Sequence, residues 1–358
     1  MDYKNTLDLL LATAVQNKAS DLHLTVGYPP ILRITKNLIE IEGGENLAPE
    51  AVEGLAFVLM SPEQKQSFLQ EKESDFAYTF KDGARFRVNI FLQQGWVSIA
   101  MRLIPSGIKT IEELGLPPII HQFAGAKQGL VLITGPTSQG KSTSLAAIIN
   151  EINQQRQDHI ITIEDPIEYI FPKYKALINQ REIGRDTLSF SRALKSSLRE
   201  DPDVIMVGEL RDLETIATAI TAAETGHLVF STLHTNSASQ TVHRVIDVFP
   251  SHQQNQIRAQ LSSVLLGVVS QRLVPKINNG FVPACEIMLN NSALANLIRE
   301  GKIHEMPSII ETSGKTGMNS LNQSLASLVA EKVISPEIAL KYSLFPDELK
   351  TRLKRFSM

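Results

Sequence analysis

Cysteine is almost absent from this sequence, since Cys285 is the only one among 358 residues. A single thiol excludes an intramolecular disulfide bond and any zinc site built from several cysteines. Proteins stabilised by disulfides belong to oxidising compartments, so a chain that cannot form one is expected by default in the cytosol.

An excess of positive charge is also missing. The chain has 35 Lys and Arg against 38 Asp and Glu, a formal net charge of −3, and a single Trp. A nucleic-acid motor is expected to have a basic track with aromatic side chains, and this composition gives no support for one. We therefore expect no nucleic-acid partner.

Long apolar runs are absent as well. None approaches the roughly 18 residues that a membrane-spanning helix needs. The opening residues, MDYKNTLDLL, lack the basic segment followed by an apolar core that a signal peptide has. The sequence thus favours an ordinary cytoplasmic protein, and its 358 residues are enough for two domains.

The stretch GPTSQGKST, at residues 135–143, has the spacing G-x-x-x-x-G-K-S. Such a loop turns backbone N–H groups toward phosphate oxygens, and glycine is needed where a side chain would block the approach. We expect Lys141 to reach the β- and γ-phosphates of ATP and the Ser142 hydroxyl to bind Mg²⁺. The predicted nucleotide-binding residues are Gly135, Pro136, Thr137, Ser138, Gln139, Gly140, Lys141, Ser142 and Thr143.

The residues around this loop favour nucleotide binding over a chance surface turn. The apolar run GLVLIT before it has the length of a strand, and one helical stripe follows it, made of Leu145, Ile148, Ile149 and Ile152. In a strand–loop–helix arrangement, the N-terminus of the helix faces the bound anion.

Patterns along the rest of the chain predict an α/β protein with two domains. Short strands, a helix near 48–59 and an alternating segment predict a small α+β domain at residues 1–103, followed by a linker at 104–118 that contains proline and glycine. Within residues 119–290, the runs LVLI, IITI, VIMV and LVF alternate with helical patterns, which is typical of a parallel sheet with crossovers. Residues 252–272 are predicted to be helical, and 291–358 to form a mostly helical C-terminal region.

Three arginines of the N-terminal domain are candidates for a functional role. Alternation in RFRVNIFL places the apolar side chains on one face and Arg85 and Arg87 on the other, and the next strand places Arg102 on that same polar face. Asp82-Gly83 is a hairpin signal and Gln94-Gly95 a weaker one. Pattern alone favours a solvated face for these arginines.

Acidic and histidine side chains follow the other predicted parallel strands. IITI is followed by Glu164, VIMVG by Glu209 and LVFSTL by His234. Ligands collect at the carboxyl ends of parallel strands, so these three side chains are expected near the phosphates of one nucleotide. A strand that holds a metal commonly ends in Asp-Glu, but Gly208 occupies the Asp position here. Glu209 is then left to orient or deprotonate water.

Glu164 is therefore the candidate to hold Mg²⁺, partly through water, and His234 the candidate to hydrogen-bond the γ-phosphate. The alternatives are that Glu164 caps the next segment and that His234 is structural. His227 stays open between a functional and a structural role.

Four motifs in order resemble those of the type II/type IV secretion ATPases. Besides the phosphate loop, ITIEDPIEY resembles the family's acidic box, LREDPDVIMVGELRD its second nucleotide motif and TGHLVFSTLHTNSA its histidine box. SDLHL and RFRVN resemble its N-terminal domain. The stretch NLIREGKIHEMPSIIETSGKTGMNSLNQSL resembles the C-terminal region of the twitching-motility branch, the PilT-like type IV pilus retraction ATPases.

This resemblance covers nearly the whole chain and implies a PAS-like N-terminal domain joined to a RecA-like ATPase core, assembled as a homohexamer. It implies that Arg85, Arg87 and Arg102 approach the nucleotide of a neighbouring subunit, in place of the solvated role that pattern alone favours. The ring would remove pilin at the base of the pilus. Its implied location is peripheral at the inner membrane, with an inner-membrane platform protein and other pilus motor ATPases as candidate partners.

Two motifs depart from the family pattern. The loop of the family usually reads GPTGSGKST, whereas this chain has Ser138 and Gln139 in the middle. If the backbone at Ser138 has a positive φ, serine adds strain of about 1 kcal/mol or more. The branch motif AIRNLIRE reads ALANLIRE here, with Ala295 where an arginine is common. This second departure makes an accessory retraction paralogue an alternative to a primary motor.

Three other functions compete with pilus retraction. Pilus assembly and type II secretion ATPases typically carry a four-cysteine zinc module and a longer N-terminal region, which the single cysteine and the short N-terminal domain disfavour. A RecA-like nucleic-acid motor shares the phosphate loop but finds no support in the composition. A nucleotide-binding regulator without turnover requires Glu209 to be structural.

Overall fold

The computed structural model describes residues 2–35, 37–104 and 107–356. The chain divides into two compact units. The N-terminal unit comprises the residues up to Gly107 together with Pro166–Ile170, and the second unit comprises Ile108–Asp165 and the residues from Phe171 onward. Part of the acidic stretch ITIEDPIEY thus groups with the N-terminal unit.

The N-terminal unit is built on one antiparallel sheet of six strands: β1 (Asp21–Thr25), β2 (Ile31–Ile34), β3 (Asn37–Glu40), β4 (Glu73–Thr79), β5 (Arg85–Gln93) and β6 (Trp96–Ile104). Their spatial order is β3-β2-β1-β6-β5-β4. The core lies between this sheet and the helices α1 (Tyr3–Gln16), α2 (Pro49–Leu59) and α3 (Pro62–Glu71). Phe86, Val88 and Ile90 of β5 are fully buried in it, which confirms the alternation read from the sequence.

The two glycine-containing turns of this sheet differ in tightness. Gln94 and Gly95 join β5 to β6 directly, with φ of +51° and +82°. Two positive φ values in a two-residue hairpin match the twist of antiparallel strands. The other turn is a longer connection between β4 and β5 that contains the 3₁₀ turn Lys81–Gly83. The weaker signal in the sequence therefore forms the tighter hairpin.

The second unit is built on a sheet of seven strands: β7 (Gly129–Thr134), β8 (His159–Glu164), β9 (Leu177–Glu182), β10 (Val204–Val207), β11 (Leu228–Leu233), β12 (Leu265–Pro275) and β13 (Phe281–Leu289). Their order is β13-β12-β7-β11-β10-β8-β9. Every neighbouring pair is parallel except β12 with β13. The four apolar runs predicted to be parallel strands are confirmed as β7, β8, β10 and β11.

Strand β7 shows why these runs are continuously apolar. Leu130 and Leu132 pack into a hydrophobic cluster on one face of the sheet, and Val131 and Ile133 into a second cluster on the other. All four side chains are fully buried. A parallel strand that is covered on both faces has no polar side to alternate with.

Helices cover both faces of this sheet and extend beyond it. They are α4 (His121–Gly125), α5 (Lys141–Gln155), α6 (Phe190–Ser197), α7 (Leu213–Glu224), α8 (Ala238–Asp247), α9 (Ser251–Val264), α10 (Ser292–Glu300), α11 (Met306–Thr312), α12 (Leu321–Ala330), α13 (Pro336–Tyr342) and α14 (Pro346–Phe356). Leu321 and Leu325 of α12 share a separate core with Val274 of β12 and Ala284 of β13. In the ranges that the structure describes, no helix is both long and apolar enough to cross a membrane.

The prediction of a helix over residues 252–272 is wrong in its second half. Helix α9 ends at Val264, and β12 begins at Leu265. β12 lies between β7 and β13, where Val268 and Val269 are fully buried. Burial between two strands stabilises the extended form of a segment whose apolar spacing also suits a helix.

The predicted linker at 104–118 is only partly described, because Pro105 and Ser106 lie outside the described residues. Ile111 and Leu116 are buried in the core of the second unit, against the cluster that contains α4. The domain limits 1–103, 119–290 and 291–358 stay predictions.

Cys285 lies in β13 and is completely buried. Burial raises the pKa of its thiol to about 12. The thiol is therefore protonated at neutral pH and is shielded from reagents.

Candidate nucleotide-binding site

The phosphate loop, residues 135–140, connects the interior strand β7 to helix α5. Gly135 has a φ of +144°, and a Cβ at this position would lie 2.3 Å from the carbonyl oxygen of Gln271 in β12. Gly140, at φ +78°, is the N-cap of α5. Glycine is thus required at Gly135 for space as well as backbone conformation, and is favoured at Gly140 by conformation.

Lys141 is buried, with 8% of its surface exposed, although its side chain is charged. Its Nζ donates hydrogen bonds to the carbonyl oxygens of Gly135, at 2.8 Å, and Pro136, at 2.9 Å. A third contact of 3.5 Å joins Nζ to Nδ1 of His234. A buried charge is tolerated when it is hydrogen-bonded, and these contacts hold the amine within the loop.

His234 follows the last residue of β11 and contacts both Lys141 and Glu209. Because a lysine ammonium can only donate, Nδ1 of His234 accepts from it, which places the ring proton on Nε2. Nε2 lies 3.6 Å from Oε2 of Glu209. Three side chains predicted to act at one nucleotide therefore form a continuous row of polar contacts.

Glu209 is held by Arg211, two residues further along the chain. An N–H group of the Arg211 guanidinium donates to Oε1 of Glu209. Burial works against ionisation of Glu209, but the hydrogen bond and charge of Arg211, aided by the charge of Lys141, outweigh it, so the pKa of Glu209 lies below its usual value. The carboxylate is therefore ionised at neutral pH and can accept a hydrogen bond from water.

Glu164, the last residue of β8, is buried and 7% exposed. Its Oε1 accepts hydrogen bonds from Oγ1 of Thr162, at 2.6 Å, and Nε2 of Gln180, at 3.1 Å. Two donors on one oxygen fix the direction of the carboxylate. They make Glu164 a pre-oriented acidic group at the carboxyl edge of the sheet.

Gly208 follows β10 and lies beside the end of β8, where its N–H donates to the carbonyl oxygen of Ile163 at 2.8 Å. A Cβ at Gly208 would be 3.2 Å from the carbonyl oxygen of Ile163 and 3.6 Å from Cα of Glu164. An aspartate at this position would have to fit its carboxylate beside that of Glu164. Glycine thus leaves one carboxylate where two would repel each other.

The residues predicted to hold Mg²⁺ fit this cation by chemistry. Ser142 is exposed in the first turn of α5, and Glu164 offers a carboxylate, so both provide the hard oxygen ligands that Mg²⁺ prefers. Among the residues that the structure describes, no group of three His, Cys, Asp or Glu could hold a metal ion by itself. A site of few protein oxygens suits a cation that is bound chiefly through substrate phosphates.

Ser138 lies in the left-handed region, with a φ of +61°. The condition under which serine adds strain at this position is therefore met. Gln139 next to it accepts a hydrogen bond at Oε1 from the backbone N–H of Leu273, at 2.7 Å. The two departures from the usual loop sequence are thus a strained residue and an additional bond to β12.

Sequence reasoning missed three residues that surround the loop and the strand ends. Gln271 binds the loop and α5, Arg211 binds Glu209, and Arg272 donates to Oδ1 of Asn236 at 3.3 Å. Arg272 also donates to the carbonyl oxygen of Tyr342, at 3.3 Å. The signal available in the sequence is the polar pair Gln271-Arg272 inside the apolar run VVSQRLV, which overlaps the segment predicted to be helical.

The three arginines of the N-terminal unit have partners within that unit. Arg87 and Arg102 stand opposite each other on β5 and β6. Arg87 forms an ion pair with Asp75, at 2.6 Å, and Arg102 with Asp21, at 3.0 Å. Arg85 has a different kind of partner, since its guanidinium donates to the carbonyl oxygen of residue 167, at 3.0 Å.

His227 lies at the amino end of β11, at the opposite edge of the sheet from the phosphate loop. Its Nδ1 contacts the carbonyl oxygen of Ala222, at 2.9 Å, and the hydroxyl of Thr225, at 3.2 Å. These contacts join the end of α7 to the start of β11.

A phosphate loop lies between an interior parallel strand and a helix, with a lysine, a histidine and an ionised glutamate at the same edge of the sheet. This arrangement defines a nucleotide-hydrolysing α/β protein. The family model described as "Type II/IV secretion system protein" matches residues 72–334. The chain belongs to this family, and it is an ATPase of the PilT-like kind.

Known proteins resemble the chain along nearly its whole length. It is 48% identical over 341 residues to the type IV pilus retraction ATPase PilT of Pseudomonas aeruginosa, which covers 94% of this chain and 98% of that protein. It is 45% identical over 334 residues to a twitching motility protein of Neisseria gonorrhoeae, covering 93% and 89%. A crystal structure of the pilus retraction motor PilT with bound ADP is 45% identical, with a TM-score of 0.90 and coverage of 96% and 98%. The mixed α/β fold with two sheets therefore matches a solved PilT structure.

Proposed function

We propose that this protein is an ATP-hydrolysing motor that retracts and disassembles type IV pili. The assignment of ATPase activity rests on the row of contacts Lys141–His234–Glu209 at one edge of the sheet. Pilus retraction is supported by the likeness, over nearly the full chain, to relatives named for retraction and twitching motility.

Lys141 binds the β- and γ-phosphates in this proposal. Its amine donates to two loop carbonyls, and anionic phosphate oxygens are stronger acceptors than carbonyl oxygens. Backbone N–H groups of residues 135–143 and the N-terminus of α5 add partial positive charge around the phosphates. ATP is thus bound by one full charge and several fixed dipoles.

Glu209 orients the attacking water. Its ionised carboxylate accepts a hydrogen bond from the water and receives the proton as the water oxygen bonds to the γ-phosphorus. The bond from the γ-phosphorus to the bridging oxygen breaks in the same reaction, and ADP leaves. Arg211 holds the carboxylate in the ionised form that this role requires.

Ser142 and Glu164 would hold Mg²⁺, Glu164 partly through water. Bound there, Mg²⁺ would neutralise charge on the β- and γ-phosphate oxygens. Thr162 and Gln180 keep the Glu164 carboxylate oriented for this purpose.

His234 serves as the sensor of the γ-phosphate. It already contacts Lys141 at one ring nitrogen and approaches Glu209 at the other. A hydrogen bond to the γ-phosphate competes with these contacts, so loss of that phosphate would change the position of the ring.

The proposed assembly is a homohexamer with PAS-like N-terminal domains and RecA-like ATPase cores. Arg85, Arg87 and Arg102 then act on the nucleotide of a neighbouring subunit. A likeness to a PilT structure at TM-score 0.90 supports this architecture. In a ring of this kind, each hydrolysis step changes the angle between the two domains of a subunit, and this movement does the mechanical work.

The proposed place of work is the cytoplasmic side of the inner membrane, where the ring is peripheral to the pilus machine. A platform protein of the inner membrane is the partner that would receive the movement. Other pilus motor ATPases are further partners, and nucleic acid is not one.

Deletion of the gene tests the direction of the work. Without the motor that removes subunits, a filament grows until addition stops, so the deletion strain should display surface pili, in normal or excess number, and lose twitching motility. Complementation with the intact gene is the control. A strain without pili would contradict retraction and indicate an assembly motor, while ATPase activity of the purified protein would still stand.

Ala295 favours a second candidate, an accessory retraction motor. It lies in α10, where the branch commonly has an arginine. An accessory motor predicts a partial motility defect on deletion, with pili retained. An Ala295→Arg variant that increases retraction force or speed would support weaker coupling in this chain, and an unchanged value would contradict it.

A further inference from the structure

We propose that Gln139 and Gln271 position the phosphate loop, by binding it to strand β12 in the conformation that accepts nucleotide. This proposal rests on ATP binding by the loop. The group formed by Gln139, Gln271 and the backbone N–H of Leu273 is called the β12 clasp below. Neither glutamine touches the predicted metal or water-activating residues in the described contacts.

Gln139 is bound at both its side chain and its backbone. Its Oε1 accepts from the N–H of Leu273, at 2.7 Å, and its carbonyl oxygen accepts from Nε2 of Gln271, also at 2.7 Å. Its Nε2 donates to the carbonyl oxygen of Thr137, at 3.4 Å. The first two bonds fix the loop to β12, and the third spans Ser138.

Gln271 is 2% exposed and uses both ends of its amide. While Nε2 donates to the loop, Oε1 accepts from the hydroxyl of Ser144, at 2.7 Å. Ser144 lies in the first turns of α5 and is itself buried. One side chain therefore holds the loop and the helix at a fixed distance from each other, and the orientation of its amide is determined by both partners.

The clasp is located where the loop needs support. Ser138 has a φ of +61°, a conformation that serine adopts at a cost. It stands between Gln139 of the clasp and Thr137, whose carbonyl oxygen accepts from the Gln139 side chain. Without the clasp, Ser138 would favour a negative φ, which turns the neighbouring N–H groups away from the phosphates. Only the fraction of loops in the correct conformation binds nucleotide, so the apparent Kd would rise by the inverse of that fraction.

Gln139→Met tests this, because methionine keeps the length of the side chain and removes the acceptor. We expect the Kd for ADP, measured by calorimetry on the full-length protein, to rise about fivefold to tenfold. The KM for ATP should rise with it, by a larger factor than any fall in kcat, because the hydrolytic residues are intact. Gln154→Met, the same change at an exposed position of α5, is the matched control.

Ser138→Gly separates positioning from a direct contact with nucleotide. Glycine adopts a positive φ without strain, so in a Ser138→Gly background the additional change Gln139→Met should raise the Kd by at most about twofold. An equal increase in both backgrounds would overturn the proposal, as would a Kd unchanged by Gln139→Met alone.

Gln271→Met provides a second test of the proposal. Because Gln271 is buried, the melting temperature of this variant without nucleotide first shows whether it folds. If the fold is retained, the Kd should rise at least as much as in Gln139→Met. Ser144→Ala, which leaves Gln271 in place but frees its amide to rotate, should give a smaller increase. A folded Gln271→Met protein with wild-type Kd would contradict the proposal, while Lys141→Ala shows independently whether the assay detects loss of the phosphate loop.

Discussion

Glu209 and His234 face each other at 3.6 Å, from Oε2 to Nε2, at the ends of the adjacent parallel strands β10 and β11. The carboxylate is ionised because of Arg211, and the imidazole is directed by Lys141 on its other side. A group that activates water is thereby linked to a group that contacts the phosphate-binding lysine. Hydrolysis and sensing of the γ-phosphate are expected to depend on each other for this reason.

Lys141→Ala should lower ATP turnover by about 10²-fold or more, because the charge on the β- and γ-phosphate oxygens is lost. Release of phosphate from the purified protein measures this. Lys127→Ala removes a charge from an exposed residue before β7 and serves as the control. Turnover within twofold of wild type would rule out the assignment of the phosphate loop.

Glu209→Gln should keep ATP affinity within about threefold and lower kcat by about 10²-fold or more, since only the proton acceptor is changed. Separate measurements of Kd and kcat check this. Glu305→Gln, at an exposed glutamate, is a matched control. Equal losses of binding and turnover would instead identify Glu209 as a structural or metal-binding residue.

Arg211→Met should move the acid limb of kcat/KM toward neutral pH. In the wild type, Arg211 lowers the pKa of Glu209, so the carboxylate stays ionised below the usual range of a glutamate. Without Arg211, burial remains as the main influence and raises this pKa. The pH profile of kcat/KM is the measurement, and an acid limb that does not move would show that Glu209 is not the titrating base.

Mixed assemblies should recover turnover if the arginines act between subunits. A chain with Arg85→Ala, Arg87→Ala or Arg102→Ala lacks the donated charge, and a chain with Lys141→Ala lacks the phosphate site. When the two variants assemble together, some interfaces join an intact arginine of one subunit to an intact phosphate loop of the other. The ATPase activity of the mixture should therefore rise above that of either variant alone. No recovery at any ratio, with mixed assemblies demonstrated by mass, would argue for action within one subunit.

The sequence was sufficient for features that depend on neighbouring residues. Strands buried on both faces require continuous apolar runs, so β7, β8, β10 and β11 could be predicted, and their parallel order placed Glu164, Glu209 and His234 at one edge. The positive φ of Ser138 could be stated only as a condition, because serine is compatible with either sign and the surroundings decide.

Features that depend on distant residues could not be predicted. The segment that forms β12 has an apolar spacing that suits a helix, and its strand partner Leu130 is far away in the sequence. The contacts of Gln271 with the loop join residues more than a hundred positions apart for the same reason. Strands β9 and β13, which the sequence did not signal, lie at the two edges of the sheet.

The complete burial of Cys285 has a practical consequence for observing the motor in action. Thiol-reactive dyes attack an accessible thiolate, and Cys285 is neither accessible nor ionised at neutral pH. A cysteine introduced on the surface would be the only reactive thiol of the folded chain, with the natural one left in place. Fluorophores on cysteines introduced at one site in each unit, such as Thr79 and Lys127, would then report the distance between the two dyes through the ATP cycle. Cys285 would not have to be replaced, so β13 would stay undisturbed.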